Sequence, residues 1–370
     1  MPEPLSLARP EIGPEEERLV LEVLRSGRLS LGPMLERFER DFAEWLGVGD
    51  AIAVSSGTAA LHLGVRALGW GQGDEVVLSP FTFIASANCL LYEGAKPVFA
   101  DVEPESVNLD PAAAAAAVGE RTVGLLPIDI FGWPADLPAF ERLAADRGLS
   151  ILEDSCQALG ALDRDGRKVG SRGNLAAFAF YANKQMSTGE GGMLIPSNAA
   201  QAAAIRSERN QGRAVDMAWL DHDRLGFNYR MSDVTAAIGV AQVARLDDLL
   251  AGRARVAALY GDALVGIEGL GLYPDHLEAA RRSWFVYPVR LPEGADRDGV
   301  IARLGEAGIP AKAYLPCIHL MPHLRDLGYG EGDFPVAEGI SARSLALPFH
   351  AGLEEGDVFR VATALSAALS

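Results

Sequence analysis

Lysine is rare in this chain, and one lysine lies where an amine could do chemistry. Of the 33 lysine and arginine residues, only four are lysine: Lys96, Lys168, Lys184 and Lys312. Lys184 stands in "AAFAFYANKQMSTGEGGML", between an apolar stretch and a glycine-rich turn. Arginine stays protonated, whereas a lysine in apolar surroundings can lose its proton and attack a carbonyl. Lys184 is therefore a candidate nucleophile, although a lysine beside a glycine turn is by itself more often a solvated charge.

A second segment carries groups that could bind an anion. In "VSSGTAALHLG", residues 54–64, a short apolar run ends in serine, glycine and threonine where a helix is expected to begin. Backbone N–H groups at such a helix start bind phosphate. The same residue types also simply cap helices, which is the more frequent case. Because no P-loop lysine and no G-x-G-x-x-G follow, the pattern predicts neither of those nucleotide-binding loops.

A third segment places carboxylates at the end of an apolar strand. In "LSILEDSCQALGA", residues 149–161, the strand ends on Glu153 and Asp154. Open α/β sheets bind ligands at the carboxyl ends of their strands, although a carboxylate there can also cap a turn. A phosphate site, an acid partner for a pyridine nitrogen and a Schiff-base amine are what pyridoxal 5'-phosphate requires. The three segments together therefore predict a pyridoxal phosphate site.

The elements that must position these groups follow from the hydrophobic pattern. "PEEERLVLEVLRSG" predicts an N-terminal helix with Leu19, Leu21 and Leu24 near one face. From about residue 51 short apolar runs alternate with helical segments, which is typical of βα units and a largely parallel sheet. After about residue 250 the pattern predicts a smaller α+β domain. The expected division is 1–250 and 251–370, with the boundary on a linking helix.

Composition restricts the class of protein. A net charge of −17 argues against bulk attraction to nucleic acid or to anionic membranes. We find no secretory signal at the start and no apolar run long enough to span a membrane. Three widely spaced cysteines favour free thiols in a reducing compartment over disulfides or a metal cluster. The sequence thus predicts a cytoplasmic protein with no metal, nucleic-acid or membrane partner.

Several motifs, in order, resemble the DegT/DnrJ/StrS family of sugar-nucleotide aminotransferases. They include "SGRLSLGPMLERFERDFAEWLGV", "SSGTAALHL", "ILEDSCQALGA", "NKQMSTGEGGM", "GFNYRMSDVTAAIGVAQ" and "FPVAEGISARSLALPFH", and they cover nearly the whole length. The resemblance implies the fold-type I architecture of pyridoxal phosphate enzymes. It comprises a large domain with a mostly parallel central sheet between helices, followed by a smaller C-terminal α+β domain.

The resemblance also implies roles for single residues. Lys184 would form the Schiff base with the cofactor, and Asp154 would pair with the pyridine nitrogen. Gln157 would lie near the ring hydroxyl and Phe83 would stack on the ring. The phosphate cradle would be formed by Gly57 and Thr58.

One implied residue comes from a second subunit, and one position departs from the family. Asn228 matches a residue that reaches the phosphate from the partner, which implies a homodimer with shared active sites. Many relatives carry a phosphate-binding serine five residues before the lysine, where this chain has Ala179. Either another donor replaces that hydroxyl, with Ser56 or a water as candidates, or the phosphate is held less tightly.

Substrates follow from the resemblance alone. L-glutamate would give its amino group, leaving a pyridoxamine 5'-phosphate intermediate, and a keto-sugar nucleotide would accept it. Candidate substrate contacts are Arg206, Arg209, Arg213, Arg230, Tyr314, His319 and His323, although surface charges and turn residues explain the same pattern equally well; His319 is favoured because it falls in the family's Tyr-x-Pro-x-x-His region. The alternatives are a sugar dehydratase of the same family, in which histidine replaces the lysine, and a non-catalytic cofactor-binding regulator. Lys184 argues against the dehydratase, and the sequence shows no DNA-binding addition that would favour a regulator.

Overall fold

A seven-stranded, mostly parallel sheet forms the centre of the chain. The computed structural model describes residues 5–214 and 221–370. The strand order is β1-β7-β6-β5-β4-β2-β3. Only β7 is antiparallel to its neighbours, β1 and β6. The strands are β1 (Ile52–Val54), β2 (Glu75–Leu78), β3 (Lys96–Phe99), β4 (Thr122–Leu126), β5 (Ser150–Asp154), β6 (Leu175–Ala179) and β7 (Gly192–Ile195). The predicted fold class is confirmed.

Helices cover both faces of this sheet. They are α1 (Pro14–Ser26), α2 (Pro33–Leu46), α3 (Gly57–Ala67), α4 (Ala85–Tyr92), α5 (Pro111–Ala117), α6 (Leu137–Arg147), α7 (Ala199–Arg209) and α8 (Asp233–Ala244). On α2, Phe42 meets Phe178 and Phe180 edge to face, with ring centroids 5.5 and 5.6 Å apart. This aromatic contact fixes α2 against β6 and the residue that follows it.

The first helix forms as predicted, but its buried face differs. Pro14 and three glutamates open α1, and Gly27 ends it in the left-handed conformation with φ 71°. Leu19 and Val23 are buried, whereas Leu21 and Leu24 are 45% and 50% exposed. The expectation that Leu21 and Leu24 share the buried face with Leu19 is therefore wrong, because the face toward α8 passes through positions 16, 19 and 23.

The C-terminal part begins with α9 (Leu246–Leu264), which contains the predicted boundary. A four-stranded antiparallel sheet follows in the order β12-β13-β11-β8. Its core includes Tyr260, Leu304 and Leu365. The elements are β8 (Gly271–Leu272), β9 (His276–Leu277), β10 (Ala280–Arg281), β11 (Tyr287–Arg290), α10 (Arg297–Glu306), β12 (Lys312–Ala313), α11 (Pro322–Arg325), α12 (Pro335–Arg343), β13 (Ser344–Leu347) and α13 (Glu355–Leu369).

The two parts share hydrophobic contacts. Leu315, Ile318 and Ile340 belong to the core cluster that packs against the large sheet, although they follow the predicted boundary in sequence. The division at residue 250 therefore stays a prediction. Within residues 5–214 and 221–370, no helix is both long and apolar enough to cross a membrane.

Candidate active site

A cavity of about 650 Å³ lies at the carboxyl ends of the parallel strands. The segments after β1, β2, β5 and β6 all reach it, as the rule for open α/β sheets leads one to expect. Residues from the C-terminal part, around β12, close its other side. The predicted site residues that line it are Ser56, Gly57, Thr58, Phe83, Asp154, Gln157, Ala179, Lys184 and Tyr314.

Lys184 lies in the loop between β6 and β7. Its backbone N–H donates to the carbonyl of Tyr181 at 2.9 Å, which closes a turn before the glycine-rich stretch. Its amine lies 3.9 Å from the ring centroid of Phe285. Burial lowers the pKa of Lys184 to about 8. At pH 7 roughly a tenth of the amine is then neutral, far more than for a solvated lysine.

Asp154 ends β5 and is held in place by two hydrogen bonds. Ser86 Oγ donates to Oδ2 at 2.7 Å, and the backbone N–H of Cys156 donates to Oδ1 at 3.1 Å. Thr82 Oγ1 lies 3.1 Å from Ser86 Oγ, which extends the chain of hydroxyls. Because the carboxylate is only 4% exposed and bound from two sides, its orientation at the cavity is fixed.

The neighbouring Glu153 is buried and is absent from the cavity lining. Successive residues of a strand point to opposite faces. Its Oε1 accepts from the N–H of Gly170 at 2.9 Å. Burial, with a smaller contribution from the charge of Asp163, raises the pKa of Glu153 to about 7. Asp129 is also buried nearby, and burial together with the charge of Glu153 raises the pKa of Asp129 above its usual range. Of the two carboxylates at the strand end, the cavity therefore receives only Asp154.

The start of α3, where the anion cradle is predicted, lines the cavity. Ser56 caps the helix, its Oγ accepting from the N–H of Ala59 at 3.1 Å. The first N–H groups of a helix have no partner within it and are free to bind an anion. A Cβ on Gly57 would lie 2.5 Å from the Cβ of Ala179 and 3.3 Å from Sγ of Cys156. Only glycine allows α3 to approach β6 this closely.

These groups fit pyridoxal phosphate. The cradle offers N–H donors for its phosphate, Asp154 offers a carboxylate for its ring nitrogen, and Lys184 offers an amine with a lowered pKa. Phe83 is 59% exposed on the cavity wall, where it could contact a planar ring. Within the described chain, Oδ1 of the cavity residue Asn183 is buried without a hydrogen-bond partner, so it remains available to a ligand.

Several predicted substrate residues lie elsewhere. Arg230 donates to Oδ1 of Asn210 at 3.0 Å and to Oε1 of Gln211 at 3.3 Å, and it does not line the cavity. Asn228 is exposed and also lies outside the lining. Arg206 pairs with Asp50 at 2.6 Å. Arg209 pairs with Glu39, so neither arginine is an isolated charge.

His319 is a correction, because its imidazole does not reach the cavity. The residue is 0% exposed, with Nε2 3.2 Å from Oε1 of Glu338. Its ring packs edge to face on Phe334, with centroids 4.8 Å apart. Burial lowers the pKa of His319 and so favours the neutral ring. In this arrangement His319 joins segments of the C-terminal part instead of binding substrate.

Among the cavity residues that sequence reasoning missed are Phe285, Lys312, Thr82 and Ser86. Phe285, beneath the lysine amine, and Lys312, on the rim, come from the C-terminal part, more than 100 residues after Lys184. Neither stands in a pattern that signals a ligand. Thr82 and Ser86 flank Phe83, and their hydroxyls beside an aromatic residue were the one local signal that could have been used.

The chain is similar to known proteins over nearly its whole length. Residues 10–366 match the model of the DegT/DnrJ/EryC1/StrS aminotransferase family. GDP-perosamine synthase of Caulobacter vibrioides is 38% identical, and the alignment covers 99% of this chain and 98% of the relative. The dTDP-3-amino-3,4,6-trideoxy-alpha-D-glucose transaminase of Streptomyces venezuelae is 35% identical, with 98% and 94% covered.

A solved structure agrees with these relatives. S. venezuelae DesV, determined in complex with a ketimine intermediate, superposes with a TM-score of 0.90 at 35% identity. The superposition covers 95% of this chain and 94% of that chain. Fold, cavity and relatives therefore agree, and the chain belongs to the DegT/DnrJ/EryC1/StrS aminotransferase family as an aminotransferase that uses pyridoxal phosphate.

Proposed function

We propose that this chain transfers the amino group of L-glutamate to a keto-sugar carried on a nucleotide, in the biosynthesis of an amino sugar. The observation that carries the proposal is the half-buried amine of Lys184, whose pKa is lowered to about 8, in the same cavity as the fixed carboxylate of Asp154. The named relatives that act on GDP- and dTDP-linked sugars support a nucleotide sugar as acceptor.

The residues of the cavity divide the work of amino transfer. The cofactor, when bound, supplies an electron sink for the carbon that loses its proton. The neutral amine of Lys184 takes up a proton from the substrate carbon. As the ammonium it then donates a proton to the carbon of the cofactor that carries the amino group. Asp154 would hold the ring nitrogen, and the cradle at Gly57 and Thr58 would hold the phosphate. The proposed intermediate form is pyridoxamine 5'-phosphate.

The cavity can also hold a large acceptor. Its volume of about 650 Å³ lies in the range of sites for cofactors and small molecules. Phe83 and Tyr181, 59% and 51% exposed, provide apolar surface at the cavity. Lys312 and Tyr314, from β12 and the residue after it, add a cation and a hydroxyl. This mixture suits a sugar ring joined to an anionic diphosphate.

We also propose a homodimer in which Asn228 enters the partner's cavity. The segment around Asn228 is attached firmly to its own chain, because Ser55 N–H donates to the carbonyl of Tyr229 at 2.8 Å. Its neighbour Leu225 is 70% exposed, and Tyr92, which contacts the same His62 ring as Phe227, is 54% exposed. Large apolar side chains exposed near a well-anchored segment support a subunit interface at this place.

The three cysteines bear on the location of the protein in the cell. Cys89, Cys156 and Cys317 are free thiols in this structure. Free thiols are kept in reducing compartments. We therefore propose that the enzyme works in the cytoplasm.

The test is a reaction with defined substrates. Purified protein loaded with pyridoxal phosphate is mixed with glutamate and a panel of 3-keto and 4-keto sugar nucleotides, and the products are read by mass. We expect one acceptor to gain an amino group while 2-oxoglutarate forms. Loss of water without amination would show a dehydratase. If glutamate leaves the spectrum of the bound cofactor unchanged, the protein is a regulator and the proposal is wrong.

A further inference from the structure

Arg253 is a buried arginine whose hydrogen bonds, among the residues that the structure describes, all go to main-chain carbonyls. It lies on α9 and is 4% exposed. Its Nη2 donates to the carbonyl of Lys184 at 2.8 Å and to that of Asn183 at 3.4 Å. Its Nη1 donates to the carbonyl of Phe285 at 3.1 Å. One guanidinium thus binds the main chain of Lys184 and that of Phe285, whose ring lies under the lysine amine.

The charge of Arg253 is not cancelled at close range. Buried arginines are normally paired with carboxylates. Within residues 5–214 and 221–370, no carboxylate forms a salt bridge with Arg253. Its guanidinium carbon instead lies 5.6 Å from the ring centroid of Phe349. Arg9 and Glu11 line the same small recess behind Lys184. Burial lowers the pKa of Arg253 to about 10, so the group remains a cation at neutral pH.

Charged groups reach Lys184 from several elements. Asp154, from β5, and the nearby Cys156 favour the ammonium form, whereas Arg253, from α9, opposes it. Burial, and after it the charges of Arg9 and Arg253, lower the pKa of His350, which follows Phe349. Arg253 thus contacts the main chain of Lys184 and its positive charge opposes protonation of the Lys184 amine, whereas the charge of Asp154 favours it.

We propose that Arg253 is a positioning residue for amino transfer, which fixes the main chain at Lys184 and Phe285 and places a buried positive charge beside the catalytic amine. The hydrogen bonds keep the amine directed at the cavity. The charge makes protonation of the amine less favourable, which maintains the neutral base that the reaction needs. In this way α9, the first helix of the C-terminal part, influences the protonation of a lysine in the loop between β6 and β7.

The test measures the Lys184 amine in protein freed of cofactor, so it does not depend on the substrate. Trace acylation is carried out over a range of pH, and each lysine is followed by mass. The chain has only four lysines, so the other three serve as internal references. Arg253→Gln and Arg253→Met both remove the charge. Because burial is the main cause of the lowered pKa, we expect each variant to raise the apparent pKa of Lys184 modestly, with a loss of neutral amine of about two- to threefold at pH 7.

A matched control lies on the same helix. Arg255 is exposed and donates to the carbonyls of Ala351 at 2.7 Å and Leu353 at 3.0 Å, away from the lysine loop. Arg255→Met should leave the Lys184 titration unchanged. Arg253→Lys, which keeps a donor and a charge, should show a smaller shift than Arg253→Gln.

Turnover provides a second readout. In the loaded enzyme the acid limb of the rate profile for the glutamate half-reaction should move to higher pH in Arg253→Gln, by the same amount as the labelling curve. Activity lost at neutral pH should then return in part at pH 9. If folded Arg253→Gln and Arg253→Met both titrate Lys184 as wild type does, the electrostatic role is wrong. Activity lost equally at every pH would overturn it as well.

Discussion

Side chains at the carboxyl edge of the large sheet point into a cavity of their own chain, whereas those of the segment 226–230 do not. Asp154 is fixed by a hydrogen bond from Ser86, which lines the same cavity, and the main chain of Lys184 is fixed by Arg253 from behind the cavity. Asn228 is also on a well-anchored segment, because Tyr229 N–H donates to the carbonyl of Arg209 at 3.0 Å, yet it is exposed. A rigid segment with an outward polar side chain is suited to serve another molecule. This difference is the basis of the proposal that Asn228 acts in the cavity of a second subunit, whereas Lys184 and Asp154 act in their own.

The largest effect should come from Lys184→Arg, which tests the residues that act in the cavity of their own chain. Arginine keeps the charge and approximate bulk but cannot provide a neutral amine. We expect turnover with glutamate to fall by about 10³-fold or more, given the usual contribution of a general base and of covalent catalysis. Borohydride should no longer fix the cofactor to the protein, although the cofactor should still bind at Gly57, Phe83 and Asp154.

Lys168→Arg is the control for that experiment. Lys168 donates to the carbonyl of Trp45 at 2.5 Å and lies over the Trp45 ring, so it is a structural lysine away from the cavity. Its variant should retain turnover within a few-fold of wild type. A borohydride adduct on Lys96, Lys168 or Lys312 in the wild-type protein would refute the assignment of Lys184.

Mixing two inactive variants tests whether Asn228 acts in the cavity of the partner subunit. Lys184→Ala and Asn228→Ala should each be inactive alone. In a hybrid dimer one cavity contains an intact Lys184 and an Asn228 donated by the other subunit. Random exchange should therefore restore about a quarter of wild-type activity, since half of the dimers are hybrids with one working site in two. If mass measurements show that hybrids form and these hybrids remain inactive, Asn228 does not act in the cavity of the partner subunit.

These two groups also show what the sequence could and could not predict. Apolar runs ending in "SSGT" and "ED", and a scarce lysine before glycines, marked the sheet edge because parallel strands end there together. The pattern could not decide between Glu153 and Asp154, since the face of a strand depends on its neighbours. Phe285 and Arg253 escaped detection because they reach the site through tertiary packing of the C-terminal part, with no local motif. His319 was misplaced because a histidine in a loop carries no sign of burial.

The choice between the two neighbouring carboxylates can be tested through stability. The pKa of Glu153 is raised from 4.5 to about 7 in the folded protein. The folded state then binds more protons than the unfolded state between these values, so stability falls as the pH rises from about 4.5 to 7. Glu153→Gln should remove this loss. The variant should gain about 2–3 kcal/mol relative to wild type at pH 8 and little at pH 4.

Urea unfolding at several pH values measures this effect. Gln Oε1 can still accept from Gly170 N–H, so the amide should fit the position. Exposed Glu331→Gln is the matched control and should leave the pH profile of unfolding unchanged. A profile for Glu153→Gln that is parallel to that of wild type would mean that Glu153 is ionised in the folded protein across this range.

The smallest effect is expected at Ala179, where the chain lacks the hydroxyl that many relatives carry. Ala179 lines the cavity and its Cβ faces the position of Gly57, at the start of the cradle. A serine there should add one donor to the bound phosphate. Ala179→Ser should therefore tighten cofactor retention by about 1–3 kcal/mol, the usual value of one charge-assisted hydrogen bond. Equilibrium dialysis against pyridoxal phosphate measures this directly, with Ala177→Ser as a control on the same strand outside the cavity lining. If retention is unchanged or weaker in Ala179→Ser, another group, with Ser56 and Cys156 the nearest candidates, already occupies the position of the missing hydroxyl.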